Sequence, residues 1–117
     1  MFLQLNHQQF DVCKVARAFV KDCYGFTKHF PPDEKFAMVQ QIRRAALSVY
    51  LNISEGFSRK SEAERKRFFE IARGSLIEID AALDIAEDLT YCNKEALTVA
   101  GINLVRCFSM LSKLINH

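Results

Sequence analysis

Apolar side chains return every three or four residues along nearly the whole chain, and this periodicity restricts the fold more than any other feature. Val12, Ala16, Phe19, Cys23, Phe26 and Phe30 step by 4-3-4-3-4, the spacing that lines one face of an α-helix. Pro31 and Pro32 follow. They predict the end of this first helix, because proline keeps its predecessor out of the α region and has no backbone donor.

A second stripe runs Phe36, Val39, Ile42, Ala46, Val49 and Ile53. Its helix is predicted to begin near Asp33 and Glu34, whose charges suit the positive end of a helix dipole. Gly56 is predicted to end it in a left-handed cap. Ser61-Glu62-Ala63-Glu64 reads as a capping box that opens a third helix, with Phe68, Ala72, Leu76, Ile79, Leu83, Ala86 and Thr90 as its stripe. Asn93 is placed to cap a fourth, which carries Leu97, Ala100, Leu104, Cys107 or Phe108, Leu111, and Leu114 or Ile115.

No segment alternates with period two for long enough to make a strand, and no internal repeat is present. Only four glycines and two prolines interrupt 117 residues, half of them hydrophobic, so the connections are short. Stripes that mix steps of three and four favour helices crossing at about 20°. The expected fold is all-α: an antiparallel up-down-up-down four-helix bundle, one domain over residues 1–117, large enough to bury a core without disulfides or metals.

One core does not use all the apolar residues. Phe10, Val20, Leu47, Tyr50, Leu51, Phe57, Phe69, Ile71, Ile77, Val105 and Ile115 lie partly off the stripes. An exposed surplus of this kind predicts a partner, most economically other copies of the chain. Gly74 and Gly101 fall in mid-helix, where glycine costs about 1 kcal/mol relative to alanine; close approach of another helix is the expected return.

The formal charge of +2 says little about partners, but its distribution says more. Within residues 58–68 there are five bases, Arg59, Lys60, Arg65, Lys66 and Arg67, against Glu62 and Glu64. Such a loop beside a helix N-terminus can seat backbone phosphates. The competing reading is a solvated face on which Glu62 and Lys66 support the helix at i,i+4. The acids Glu78, Asp80, Asp84, Glu87 and Asp88 read as the solvated outer face of helix three, opposite Ile79 and Leu83. Arg43 and Arg44 are adjacent, so at least one approaches the core or a subunit boundary. Together with Arg73 they are expected to form structural ion pairs, with Glu55, Glu70 and Glu78 as candidate partners.

Nothing in the sequence assembles an active site. Phosphate-loop, metalloprotease and nucleophile-elbow patterns are missing, as is the Glu-x-x-His of di-iron bundles. His7, His29 and His117 read as solvent-facing termini or loops. Cys13, Cys23, Cys92 and Cys107 lack metal-ligand spacing, and three of them fall beside apolar residues as small core hydrophobes. No catalytic residue, metal or cofactor is expected. The N-terminus lacks the pattern of a signal peptide and no uncharged run is long enough to span a bilayer, so a cytoplasmic protein without a membrane partner is expected. There the Asn52-Ile53-Ser54 sequon would have no glycosylating enzyme to meet.

With these residues in hand, the chain resembles the small bacterial four-helix bundle proteins encoded in intervening sequences of 23S ribosomal RNA genes. Phe30-Pro31 with Glu34, "QIRRAALSV..NISEG" at 41–56, Arg59 with Ser61, and "RFFEIARGSLIEI" at 67–79 carry the resemblance. They cover about fifty residues of the middle; Ser54 stands where the family more often has alanine. The resemblance implies a homopentameric ring. It also implies kinship with the accessory variability determinant of diversity-generating retroelements, a basic barrel that binds reverse transcriptase and nucleic acid.

The resulting expectation is a non-enzymatic, oligomeric bundle that contacts structured RNA or DNA through phosphates from its basic corner. It would have little base specificity, because no aromatic platform is evident. The alternative is a protein-interaction scaffold, such as an accessory subunit of a reverse transcriptase, whose acidic face meets a basic partner.

Overall fold

The computed structural model describes residues 1–116 and consists of four helices: α1 (Asp11–Thr27), α2 (Met38–Ser58), α3 (Glu62–Asp88) and α4 (Thr98–Ile115). Short 3-10 turns at Asn6–Gln9 and Pro32–Glu34 precede the first two. No strand occurs among the described residues. Each helix packs on its neighbours in chain order and α4 returns to α1, while the diagonal pairs do not meet. This is the up-down-up-down bundle. Its long dimension of 44 Å matches α3, whose 27 residues span about 40 Å at 1.5 Å per residue.

The stripes meet in one core. Phe19, Cys23, Ile42, Val49, Ile53, Leu76, Ile79, Cys107 and Leu111 are all but sealed from solvent. Both alternatives left open on α4 resolve by burial: Cys107 and Ile115 are buried, whereas Phe108 is exposed and Leu114 half-buried. On α3 the buried aromatic is Phe69, and Phe68 is half-buried.

Several helix boundaries depart from expectation. α2 does not begin at Asp33 and Glu34, because Pro32–Glu34 closes as a 3-10 turn and the backbone of Ala37, at φ −123° and ψ −100°, resets the direction before Met38. Phe36 is consequently outside the stripe and 80% exposed. Glu34 still serves the helix: its Oε1 accepts from the Met38 amide at 3.4 Å, and its Oε2 accepts from the Tyr91 hydroxyl at 2.7 Å. One carboxylate thereby joins the start of α2 to the far end of α3.

Gly56 is not a left-handed cap. No described glycine has positive φ, and α2 continues through Gly56 to Ser58. The reason for glycine is a neighbour: a Cβ there would stand 2.7 Å from Phe69 Cε1. Gly74 and Gly101 show the reverse, with nothing within 4 Å of a Cβ built on either. The close approach expected of them does not occur within one chain.

Ser61 caps α3 as expected, its hydroxyl accepting from the Glu64 amide at 3.1 Å. α3 ends at Asp88 rather than Thr90. The Thr90 amide donates to Glu87 O and the Tyr91 amide to Ala86 O, each at 2.9 Å, which is a Schellman closure. Thr90 holds its left-handed position at φ 61°. Asn93 Oδ1 accepts from the Ala96 amide at 2.8 Å, one turn ahead of α4.

The surplus of apolar surface is present. Leu47, Leu51, Ile71, Ile77 and Val105 are exposed, and Ile102 and Val99 on α4 join them. Phe69 and Ile115 are instead buried, while Val20, Tyr50 and Phe57 are half-buried. By length and composition α4 is apolar enough to cross a membrane. Its Ala100, Leu104, Cys107, Leu111 and Ile115 are nevertheless buried in the bundle.

Candidate nucleic-acid interface

The corner between α2 and α3 is three residues long, Arg59 to Ser61, and its shape comes from side chain to backbone bonds. Ser58 Oγ donates to Glu55 O at 2.6 Å and to Glu55 Oε2 at 2.9 Å, closing the last turn of α2. Arg59 then turns extended, at φ −81° and ψ 148°, and Ser61 opens α3. Arg65 reaches back across the corner, its Nε donating to Arg59 O at 2.7 Å. The bond satisfies a carbonyl at the corner without neutralising the guanidinium.

The five bases do not form one cluster. Lys60, Arg65 and Lys66 line a single groove together with Glu62, Phe57, Phe69 and Leu114. Arg59 leans the other way, its guanidinium 5.0 Å from the Phe68 ring centroid and its Nη2 3.4 Å from Glu55 Oε2. Arg67 is exposed; it follows Lys66 by one residue and so points about 100° away from it. Lys66 Nζ lies 3.3 Å from Glu62 Oε1, the i,i+4 pair expected from the sequence. Both ion pairs join partly exposed side chains, where such pairs contribute about 0–1 kcal/mol and yield to competing anions.

Of the arginines expected in structural ion pairs, Arg43 and Arg73 have other partners. Arg43 Nε donates to Thr27 Oγ1 at 2.9 Å and its Nη2 to Tyr24 O at 3.3 Å, with the guanidinium 4.9 Å from the Tyr24 ring centroid. Thr27, buried, donates its own hydroxyl to Cys23 O at 2.6 Å. Arg43 therefore satisfies the C-terminal end of α1, where a cation also suits the dipole. Arg44 lies on the exposed face. Arg73 Nη1 donates to Ser112 Oγ at 3.2 Å and packs 5.8 Å from the Phe108 centroid. Glu55 turns to Arg59 instead, and Glu78 accepts from Gln41 Nε2 across the α2–α3 seam. Hydroxyls and helix-end carbonyls lie within reach of these guanidinium groups, so no carboxylate is needed.

Asp80, Asp84 and Asp88 are exposed as expected, but Glu87 is half-buried. It lines a cleft at the opposite end of the bundle with Lys21, His29, Tyr91 and Cys92. Burial first, and Glu87 second, push the Cys92 thiol above its ordinary pKa, so Cys92 is a protonated thiol rather than a nucleophile. Burial likewise raises Cys13 to about 11 and, chiefly by itself, Cys107 to about 12; Cys23 rises further. Among the described residues, no group of three His, Cys, Asp or Glu gathers as a metal set.

A set of rings beneath the basic groove was not anticipated. Phe57 stacks on His7 at 5.7 Å and 15°, and meets Phe10 and Phe69 edge-on at 5.2 and 5.0 Å. His7 is thus half-buried against a ring, not a solvent-facing terminus; His29 is exposed, and His117 lies outside the described residues. The clue available in the sequence was that Phe10 and Phe57 belong to no stripe.

Residues 8–113 match the family described as 23S rRNA-intervening sequence protein. The chain belongs to that family. No curated protein matches it. Among solved structures, it is similar to a crystal structure from Bacteroides thetaiotaomicron of a protein of unknown function in the S23 ribosomal protein family. The TM-score is 0.80 at 21% identity, over 91% of this chain and 99% of that one. At that identity the likeness speaks for the fold alone, over almost the whole length of both chains.

Proposed function

We propose that this member of the intervening-sequence family is a non-enzymatic, oligomeric bundle of the cytoplasm that binds structured RNA or DNA through phosphate contacts from the α2–α3 corner. The observation that carries the reading is the groove where Lys60, Arg65 and Lys66 converge at the N-terminal end of α3. Free amide dipoles and side-chain charge there have the same sign. Arg65 is held in place through a carbonyl, so its charge remains available to a phosphate. Arg59 and Lys66 can leave exposed acids for phosphate oxygens, and Arg67 adds a fifth cation on the next face.

Repetition strengthens the reading. The exposed side chains of Leu47, Leu51, Ile71, Ile77, Ile102 and Val105, and the unoccupied space beside Gly74 and Gly101, suit contact between copies. A closed ring, a pentamer by the resemblance drawn from the sequence, would present the basic corner several times.

Affinity for RNA measured across salt tests the proposal. Each neutralised phosphate contributes a log-log slope of about 0.7 for single strands and about 0.9 for duplex. One copy's five bases give at most about 4.5, and a steeper slope reports several corners on one nucleic acid. A flat plot, or no binding at low salt, overturns the reading. A second reading, a scaffold for a basic partner such as a reverse transcriptase, is favoured by the exposed row of Asp80, Asp84 and Asp88. It predicts that co-purification survives reversal of the five bases and fails when those three acids become lysine.

A further inference from the structure

The ring of Phe57 separates two grooves. One is lined by Lys60, Arg65 and Lys66 with Glu62, the other by Phe10, Asp11, Met110 and Lys113, and Leu114 belongs to both. Four cations against two acids thus surround an aromatic floor. That pairing of a charged rim with stackable rings is how proteins hold single-stranded nucleic acid, the rim tracking phosphates and the rings accepting bases. Duplex, whose bases are already stacked, has no use for the floor.

His7 lies offset on Phe57, nearly parallel at 15° with the ring centroids 5.7 Å apart. The segment that holds it there is short. Asn6–Gln9 is a single 3-10 turn closed by its own bonds, Leu5 N to Gln8 Oε1 at 2.9 Å and Gln8 N to Leu5 O at 3.1 Å. Ahead of it, Phe2 and Leu3 are largely exposed. The imidazole covers one face of Phe57, the ring that lines both grooves.

We infer that the corner takes unpaired nucleotides, with a base displacing His7 from Phe57 while Lys60, Arg65 and Lys66 hold the flanking phosphates. The inference rests on the phosphate-binding reading above and adds to it a substrate class and a stacking residue. His7 acts as an internal stand-in that the incoming base must replace.

The test compares two strands of equal charge, a ten-residue oligouridylate and an abasic strand of the same length. With stacking worth about 1–3 kcal/mol per base, the base-bearing strand should bind ~10-fold more tightly at equal salt. Phe57→Leu should abolish that difference and leave the phosphate component. His7→Ala should widen it, whereas loss of a merely structural contact would not favour either strand. Should Phe57→Leu fail to fold, Phe57→Trp gives a chain without other tryptophans a single reporter, which the base-bearing strand should quench and the abasic strand should not. Equal, salt-dependent affinity for both strands overturns the stacking inference and leaves the phosphate reading standing. No binding of either strand at low salt removes both.

Discussion

A methyl group added at Gly56 would meet the Phe69 ring, which is 3% exposed and held edge-on by Phe57. A locked ring cannot yield cheaply, and overpacking of this kind costs about 1–3 kcal/mol. The better helix propensity of alanine returns up to about 1. Gly56→Ala should therefore lower the urea midpoint. Gly74→Ala, with open space around it, should raise the stability of the isolated chain by up to about 1 kcal/mol, and any loss of assembly in that variant would place a neighbouring copy against α3. The sequence showed that glycine was needed at 56 but not for what, because backbone freedom and side-chain clearance leave the same letter. The arginines were legible in the same partial way. Their need for partners could be read, whereas the choice of Thr27 and Ser112 over Glu70 and Glu78 depends on which helix turns face each other.

Helix starts and stops were legible where a side chain supplies the signal locally. Ser61 caps α3 in plain view of the sequence. The other end of α3 was missed because the left-handed position of its Schellman closure belongs to Thr90, a β-branched residue, and not to glycine. That conformation costs an L-residue roughly 1–2 kcal/mol. Thr90→Gly should accordingly stabilise the protein by about 1 kcal/mol in a denaturant titration; no gain would mean that Thr90 finds compensation in the cleft. The start of α2 was misplaced for a related reason: Asp33 and Glu34 are equally suited to a 3-10 turn and to a first α-turn, and only the Tyr91 hydroxyl, from a distant segment, reveals what Glu34 holds. At the basic corner the cations could be counted in advance, but their division into a groove of three and two outliers follows from the direction of a three-residue link.

For the molecule as a whole, all-α architecture and core membership were readable because one period ran through four segments. Contacts across the ends of the bundle, such as His7 on Phe57, have no period and were not. The core also sets a response to alkali. Cys13, Cys23 and Cys107 have folded pKa values raised above the ordinary 9.0 by burial. Below pH ~9 both folded and unfolded chains keep these protons, and the stabilisation is fully present. Above it the unfolded chain releases them first, so stability should fall with rising pH by up to about 1.4 kcal/mol per pH unit for each thiol. The fall should continue through the folded values of about 11 for Cys13 and about 12 for Cys107. Urea midpoints between pH 8 and 10 measure this, and a flat series would contradict it.

Those same sulfurs lie on α1 and α4, which face each other across one seam. While the seam is shut no alkylating reagent can touch them, so the rate of their modification under native conditions is a clock for how often the two helices part. Run with and without a bound strand or a neighbouring copy, that clock would tell which encounter fastens the bundle, and by how much, from the chain's own atoms.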